Sequence, residues 1–228
     1  MECQNIVIVH GAFGGRHHWK AVASTLTKEL KLPVYRVSLT GLGERSHLID
    51  PSISLKTHVD DVANLVDFED LQSVCLIGHS YGGVLISAAS DRMASQIRQR
   101  IYLDAYLLDD GENFFSHHPE LESDWKRRAE DDGDGWLIPP HWPNPHRDVP
   151  HPIKTLVDPV ALTNQEADAI ASEYWLFTDG GSIEEDSLRF FYERAKQRGW
   201  VAKDFLWDHN PHRSAPDELA AELVEAIR

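Results

Sequence analysis

Residues 75–89 read CLIGHSYGGVLISAA: a short apolar run, a serine with glycine two residues to either side, and a second stretch of small and apolar residues. Gly78-His79-Ser80-Tyr81-Gly82 fits G-x-S-x-G, and a strand before it with a helix start after it is the context in which that spacing carries chemistry. A serine at the apex of such a turn has a strained backbone, and glycines two residues away remove the Cβ atoms that collide when strand and helix approach. Gly83 extends the clearance. The pattern predicts an exposed hydroxyl at a helix N-terminus, where free N–H groups and the helix dipole favour developing negative charge.

Working outward, short β-branched runs alternate with segments of helical period: IVIV at 6–9, VYRVSL at 34–39, SVCLIG at 73–78, RIYLDAY at 100–106, EYWLFT at 173–178 and VAKDFLW at 201–207. Strands separated by helices imply an α/β fold with a mostly parallel sheet flanked by helices. Leu55, Val59, Val62 and Val66 form one stripe of a helix. Leu219, Leu223, Val224 and Ile227 form another, with Ser214 expected as its cap and Asp217 reaching back. The interval of about 107–170 breaks the alternation, with the charged run DWKRRAEDDGDG and then seven prolines between Pro139 and Pro159. No regular sheet element is expected there. An insertion of this length in a compact domain is usually functional, and it reads as a lid over the strand ends. The expectation is one domain over 1–228, with the lid inserted at about 107–170.

Composition narrows the partners. With 22 Lys+Arg against 37 Asp+Glu the net charge is -15, which repels phosphate backbones and anionic lipid, so neither nucleic acid nor membrane is expected as a partner. The two cysteines, Cys3 and Cys75, suggest neither a disulfide framework nor a metal knuckle. The apolar run after Met1 is too short for a signal-peptide core, which makes the cytoplasm the expected compartment. His141, His146 and His151 recur every five residues, but the spacing matches no structural zinc pattern and the intervening prolines prevent a helix that aligns them. They read as solvated or pocket-lining. HGAFGG at 10–15 lacks the glycine spacing of a dinucleotide site, so no cofactor and no metal are expected.

A serine nucleophile needs a base and a group to orient that base. Among thirteen histidines, the chain order serine, acid, histidine directs attention to the loop before the last helix, where WDHNPHRSAPDEL supplies His209 and His212.

VHGAFGG at 9–15, LTGLGERSHL at 39–48, GHSYGG at 78–83, YLDAYLLDDGE at 102–112 and DHNPHRSAPDEL at 208–219 together resemble the α/β-hydrolase superfamily. Within it, the likeness is to the small branch of methyl-ester esterases, pyrethroid-type esterases and hydroxynitrile lyases. The resemblance implies an α/β-hydrolase fold with Ser80 as nucleophile. Its D-H-x-P-x-x-S-x-P-x-x-L pattern selects His209 as base and leaves His212 as a lid or pocket contact. It also implies that the N–H groups of Ala12 and Tyr81 form the oxyanion hole, a physically reasonable pairing because aimed N–H donors stabilise a developing alkoxide.

Two positions compete for the acid. Relatives commonly carry it just after the strand matching EYWLFT, where this chain has Gly180 and Gly181, with Asp179 nearest and Glu184 and Glu185 beyond. Asp104 ends the strand after the nucleophile strand, and a carboxylate in so apolar a setting needs a partner. Asp104 is the expected acid and Asp179 its rival.

Phe13, Tyr106, Trp136 and His212 are the expected substrate contacts, in an apolar pocket suited to a small, mostly uncharged ester. The implied reaction is hydrolysis of a carboxylic ester, lactone or thioester through an acyl-enzyme. Hydroxynitrile-lyase chemistry is the first alternative, though Asn210 and Gly11 stand where that branch has lysine and threonine. A small-molecule receptor or carrier that keeps the fold is the second.

Overall fold

The computed structural model describes residues 2–140, 142 and 147–228. Six parallel strands form the central sheet: β1 (Asn5–Val9), β2 (Val34–Arg36), β3 (Val74–His79), β4 (Ile97–Leu103), β7 (Ala171–Phe177) and β8 (Val201–Phe205). Two further short strands, β5 (Leu137–Ile138) and β6 (His151–Pro152), pair antiparallel in the insertion. The order across the sheet is β2-β1-β3-β4-β7-β8.

Both faces of the central strands are buried, as parallel strands require, and the period of two sorts their side chains. Ile6, Ile8, Cys75, Ile77, Ile101, Leu103, Trp175 and Phe177 face one core, completed by α1 (Lys20–Leu30) and α8 (Pro216–Ile227). Val7, Val9, Val74, Leu76, Tyr102, Tyr174 and Leu176 face the other, completed by α2 (Leu55–Phe68), α3 (Gly82–Arg92), α6 (Arg189–Gln197) and the insertion. The expected stripe of α2 is buried, and Ser54 with Thr57 closes its N-terminus in a capping box. No helix among the described residues is long and apolar enough to cross a membrane.

Two local expectations change. Ser214 does not cap α8. Pro211 starts a separate helical turn, α7 (Pro211–Ser214), whose last residue returns its hydroxyl to the Asn210 carbonyl. Ala215 precedes Pro216 at the first position of α8, while Asp217 and Glu218 occupy the first turn, where the dipole favours them. The insertion does contain sheet, although Pro152 lacks an N–H and the ladder ends after two residues. Its charged run coils into α4 (Pro119–Asp132), which buries Trp125 and Ala129 one turn apart and pairs Arg128 with Asp124 outside. A short helix, α5 (Lys154–Val157), follows β6. Cys3 and Cys75, 72 positions apart, meet in space with both thiols free; their mutual hydrogen bond holds Cys3 down at about 7 and pushes Cys75 up.

The strand order fixes where chemistry can happen. The chain leaves β1 for the edge at β2 and returns past β1 to β3, and the crevice at such a reversal lies outside the carboxyl ends of the strands. Val9 pairs with Gly78 and His79 with Leu103. The loops carrying Ala12, Ser80 and Asp104 therefore leave three neighbouring strands side by side, and the loop after β8 brings His209 to the same edge.

Candidate active site

Ser80 has φ +53°, the left-handed region that is costly for a residue with a Cβ. Three backbone hydrogen bonds hold it there. Its N–H donates to the Leu103 carbonyl at 3.1 Å, and its carbonyl accepts from Gly83 at 3.0 Å and Tyr106 at 3.1 Å. The glycines are required by approach. A Cβ on Gly78 would stand 2.7 Å from the Gly82 carbonyl oxygen, and one on Gly82 would stand 2.5 Å from that of Val9. Because the obstacle at position 82 is strand backbone, Gly82→Ala is expected to cost about 1–3 kcal/mol. The melting temperature should fall by about 2–10 °C, and an unchanged thermal denaturation curve would show that the turn has room to spare.

Asp104 also adopts a left-handed φ, +46°, and is 3% exposed. Its Oδ1 accepts the Phe177 N–H at 3.0 Å, and its Oδ2 lies 2.5 Å from Nδ1 of His209. The histidine loop is held from its other side by His79, whose Nε2–H donates to the His209 carbonyl at 2.7 Å. The His209 side chain remains 44% accessible at the wall of the cleft. Partial burial pulls its proton affinity down, but the hydrogen bond and charge of Asp104, with Asp186 and Asp208 beyond, leave it above the ordinary value. Asp179, the rival acid, is exposed at the same edge with its N–H on the Trp207 carbonyl. The carboxylate on the imidazole is that of Asp104.

Ser80, Asp104 and His209 all line one cavity of about 510 Å3. Ala12 is in its wall, and Tyr81 stands at the N-terminus of α3 directly after Ser80. Neither the Ala12 nor the Tyr81 N–H donates to a backbone carbonyl among the described residues. Both can be offered to a ligand. Of the expected contacts, Phe13, Tyr106 and His212 line the cavity. His212 is buried and stacked on Trp19, with ring centroids 4.4 Å apart. Trp136 does not line it. That residue follows the turn at Gly135 and is tied to the insertion's own hairpin through its carbonyl, which accepts from Ile153. Trp125 and Trp142 take its place in the wall.

Several groups escaped the sequence reading. Asp186 lines the cavity, just beyond Glu184 and Glu185, and burial together with the Asp104 charge pushes its carboxyl upward. Asp148 receives the Trp142 Nε1–H at 3.0 Å and faces His18 and Arg213. His151 is fully buried and therefore not solvated, whereas His141 and His146 lie outside the described residues. None of these positions carries a spacing signal, because each is defined by contacts between segments distant in sequence or by the path of the insertion.

The alpha/beta hydrolase family model matches residues 6–222. A carbendazim hydrolyzing esterase of Nocardioides sp. (strain SG-4G) is 29% identical over 245 residues, covering 96% of this chain and 98% of that protein. Putative methylesterase 11 of Arabidopsis thaliana is 30% identical over 115 residues, which is 50% of this chain and 29% of that one. Among solved structures, an extracellular alpha/beta-hydrolase from a Paenibacillus species has a TM-score of 0.84 at 20% identity, covering 98% of both chains. A pyrethroid hydrolase from Sphingobium faniae JZ-2 has a TM-score of 0.70 at 21% identity, covering 99% of this chain and 97% of that one. Those two likenesses bear on the fold, and the family model spans the chain from β1 into α8: this protein belongs to the alpha/beta hydrolase family.

Proposed function

We propose that the protein is a serine hydrolase that cleaves a small, mostly hydrophobic carboxylic ester through an acyl-enzyme on Ser80. The observation that carries the reading is the Asp104–His209 pair, held at 2.5 Å in the same cavity as a serine on a strained turn at a helix N-terminus. The esterase and methylesterase relatives support the same reaction class.

In this mechanism Ser80 Oγ attacks the ester carbonyl while His209 takes its proton. Asp104 holds the imidazole with its proton on Nδ1 and stabilises the cation that forms. The carbonyl oxygen, now negative, rests on the N–H groups of Ala12 and Tyr81, a pair of donors each worth about 2.7–4 kcal/mol where such donors have been removed. His209 then protonates the leaving alcohol, and water activated by the same ring releases the acid. A lactone or thioester would follow the same course.

We read residues 107–170 as a lid on a single domain, because Phe13, Phe114, Trp125 and Trp142 make the substrate wall from both sides of that boundary. Aromatic surface of this kind favours an uncharged acyl or aryl group. We assign the protein to the cytoplasm on its two free thiols.

Hydrolysis of p-nitrophenyl butyrate, followed as kcat/KM against pH, tests the reading. His209 must be neutral to accept the serine proton, and its proton affinity is raised from the ordinary value of 6.5. Activity should therefore rise with pH through a midpoint above that value. The stability link has the opposite sign: what His209 contributes by binding its proton in the folded state is present below the unfolded-state value and is lost as pH rises through the folded-state one. Absence of turnover across a panel of acyl and aryl esters would remove the proposal.

A further inference from the structure

Phe13 is held in a conformation that an aromatic residue does not adopt unaided. Its φ is +63°, in a region that costs a residue with a Cβ about 1 kcal/mol or more, so the surroundings must over-determine it. One short stretch of the insertion takes both of its backbone polar groups. The Val149 N–H donates to the Phe13 carbonyl at 2.9 Å, and the Phe13 N–H donates to Nδ1 of His151 at 3.2 Å. Its ring meets Trp125 and Trp142 edge-on, at 5.3 and 4.9 Å between centroids. These four partners all belong to the insertion.

The neighbours of His151 fix where its proton sits. The Phe13 N–H can only donate, so Nδ1 is bare. Nε2 therefore bears the proton and donates to Thr155 Oγ1 at 2.8 Å, while the Thr155 hydroxyl donates to the Pro152 carbonyl at 2.9 Å. Complete burial pushes the proton affinity of His151 well below the ordinary histidine value, helped by His58 and His10. A protonated ring would set Nδ1–H against the Phe13 N–H. The same ring packs edge-on against Tyr81, centroids 5.2 Å apart at 82°. It thus lies between the Ala12–Phe13 turn and the residue that follows the nucleophile.

We propose that His151 is a positioning residue of the oxyanion hole. By accepting the Phe13 N–H it withdraws that donor from the cavity and, together with the Gly14 N–H on the Ala12 carbonyl at 2.7 Å, fixes the Ala12–Phe13 peptide; through the Ala12 Cα this restrains the adjoining Gly11–Ala12 peptide, which carries the Ala12 N–H. The inference rests on the ester-hydrolase reading and extends it: the insertion covers the site and also builds one half of the hole. The chain of contacts is physical and short, from Thr155 through His151 to the turn.

The test compares His151→Leu, which fills similar space without an acceptor, with His151→Asn, whose Oδ1 reaches the region of Nδ1. Two rates are measured for each: hydrolysis of p-nitrophenyl butyrate, and phosphonylation of Ser80 by a fluorophosphonate, whose phosphoryl oxygen uses the same hole. His151→Leu is expected to lower kcat and the phosphonylation rate by about 10- to 100-fold, less than the 10²–10³ lost when a donor is deleted outright. KM should hardly move. The pH midpoint of phosphonylation should stay in place, because the Asp104–His209 pair is untouched, and His151→Asn should recover most of the loss. An unchanged phosphonylation rate in His151→Leu overturns the proposal. So does a loss accompanied by a shifted midpoint, which marks general disturbance, or an Asn variant as impaired as Leu. If His151→Leu does not fold, Thr155→Val removes the acceptor of Nε2–H together with the donor to the Pro152 carbonyl and should slow phosphonylation several-fold; no slowing there is equally fatal. A wild-type protein that is phosphonylated yet cleaves no ester would refute the ester reading alone, with the His151 comparison still decided on phosphonylation.

Discussion

Ser80→Ala is expected to lower kcat by about 10⁶-fold and to abolish fluorophosphonate labelling, while the protein stays folded. The magnitude follows from removing the nucleophile of a group that works as a unit; any residual rate belongs to the oxyanion donors and to binding. Folding should survive because the three hydrogen bonds that hold residue 80 at positive φ are all backbone bonds, to Leu103 and from Gly83 and Tyr106. Alanine keeps the Cβ that serine already accommodates there. The useful comparison is between melting temperature and turnover in the same preparation. A variant that melts like the wild type and still hydrolyses p-nitrophenyl butyrate at more than a trace of the original rate would place the chemistry on another residue.

The proposal of His209 as base among thirteen histidines has a physical rationale that only the fold supplies. Burial pushes His10 and His58 down to about 4, and pushes His79, His151 and His212 well below the ordinary value. These rings are neutral hydrogen-bonding or packing groups at any pH near neutrality. His17 and His118 are lowered as well, whereas His209 moves upward, because Asp104 with Asp186 and Asp208 outweighs its desolvation. Environments that drive like groups apart in this way mark which of them exchanges protons.

Much of this was legible in the sequence because it is local or periodic. Alternating strand and helix patterns imply a parallel sheet, and a parallel sheet sends every strand's following loop to one edge. G-x-S-x-G around Ser80 is legible because both glycines are required by backbone approach at that turn. His209 is legible through the motif of its loop. What stayed hidden is non-local. Trp136 and Trp125 are equally aromatic and lie eleven positions apart; a helix face turns one inward, and a hairpin holds the other away from the cavity. The roles of His79 and His151 depend on contacts across 130 and 138 positions. Ser214 misled because S-x-x-D reads as a cap, whereas Pro211 and Pro216 divide that segment into two helices. Asp104 and Asp179 could be ranked but not separated, since both follow adjacent strands to the same edge and both adopt positive φ.

Their separation leads to the second large effect. Asp104→Asn is expected to lower kcat by about 10⁴-fold with little change in KM, whereas Asp179→Asn should stay within about three-fold of wild type, because Asp179 lines the cavity but the imidazole Nδ1 is taken by Asp104. The geometry gives the reason. Oδ1 of Asp104 accepts the Phe177 N–H, a partner that can only donate, so an asparagine at 104 keeps its carbonyl oxygen there and turns its amide nitrogen toward His209 Nδ1. That nitrogen donates where the carboxylate accepted. The imidazole must then carry its proton on Nε2, the nitrogen that takes the Ser80 proton in the proposed mechanism, and in that tautomer it cannot act as base. The pH profile should move with it, because losing the carboxylate removes the largest cause that raises His209 and leaves the burial that lowers it. The acid limb of kcat/KM is therefore expected to shift to lower pH in Asp104→Asn and to stay in place in Asp179→Asn. Measuring both limbs alongside both kcat values gives two independent readings of the assignment. A collapse of activity confined to Asp179→Asn would transfer the orienting role to the rival carboxylate, despite the 2.5 Å contact that now argues for Asp104.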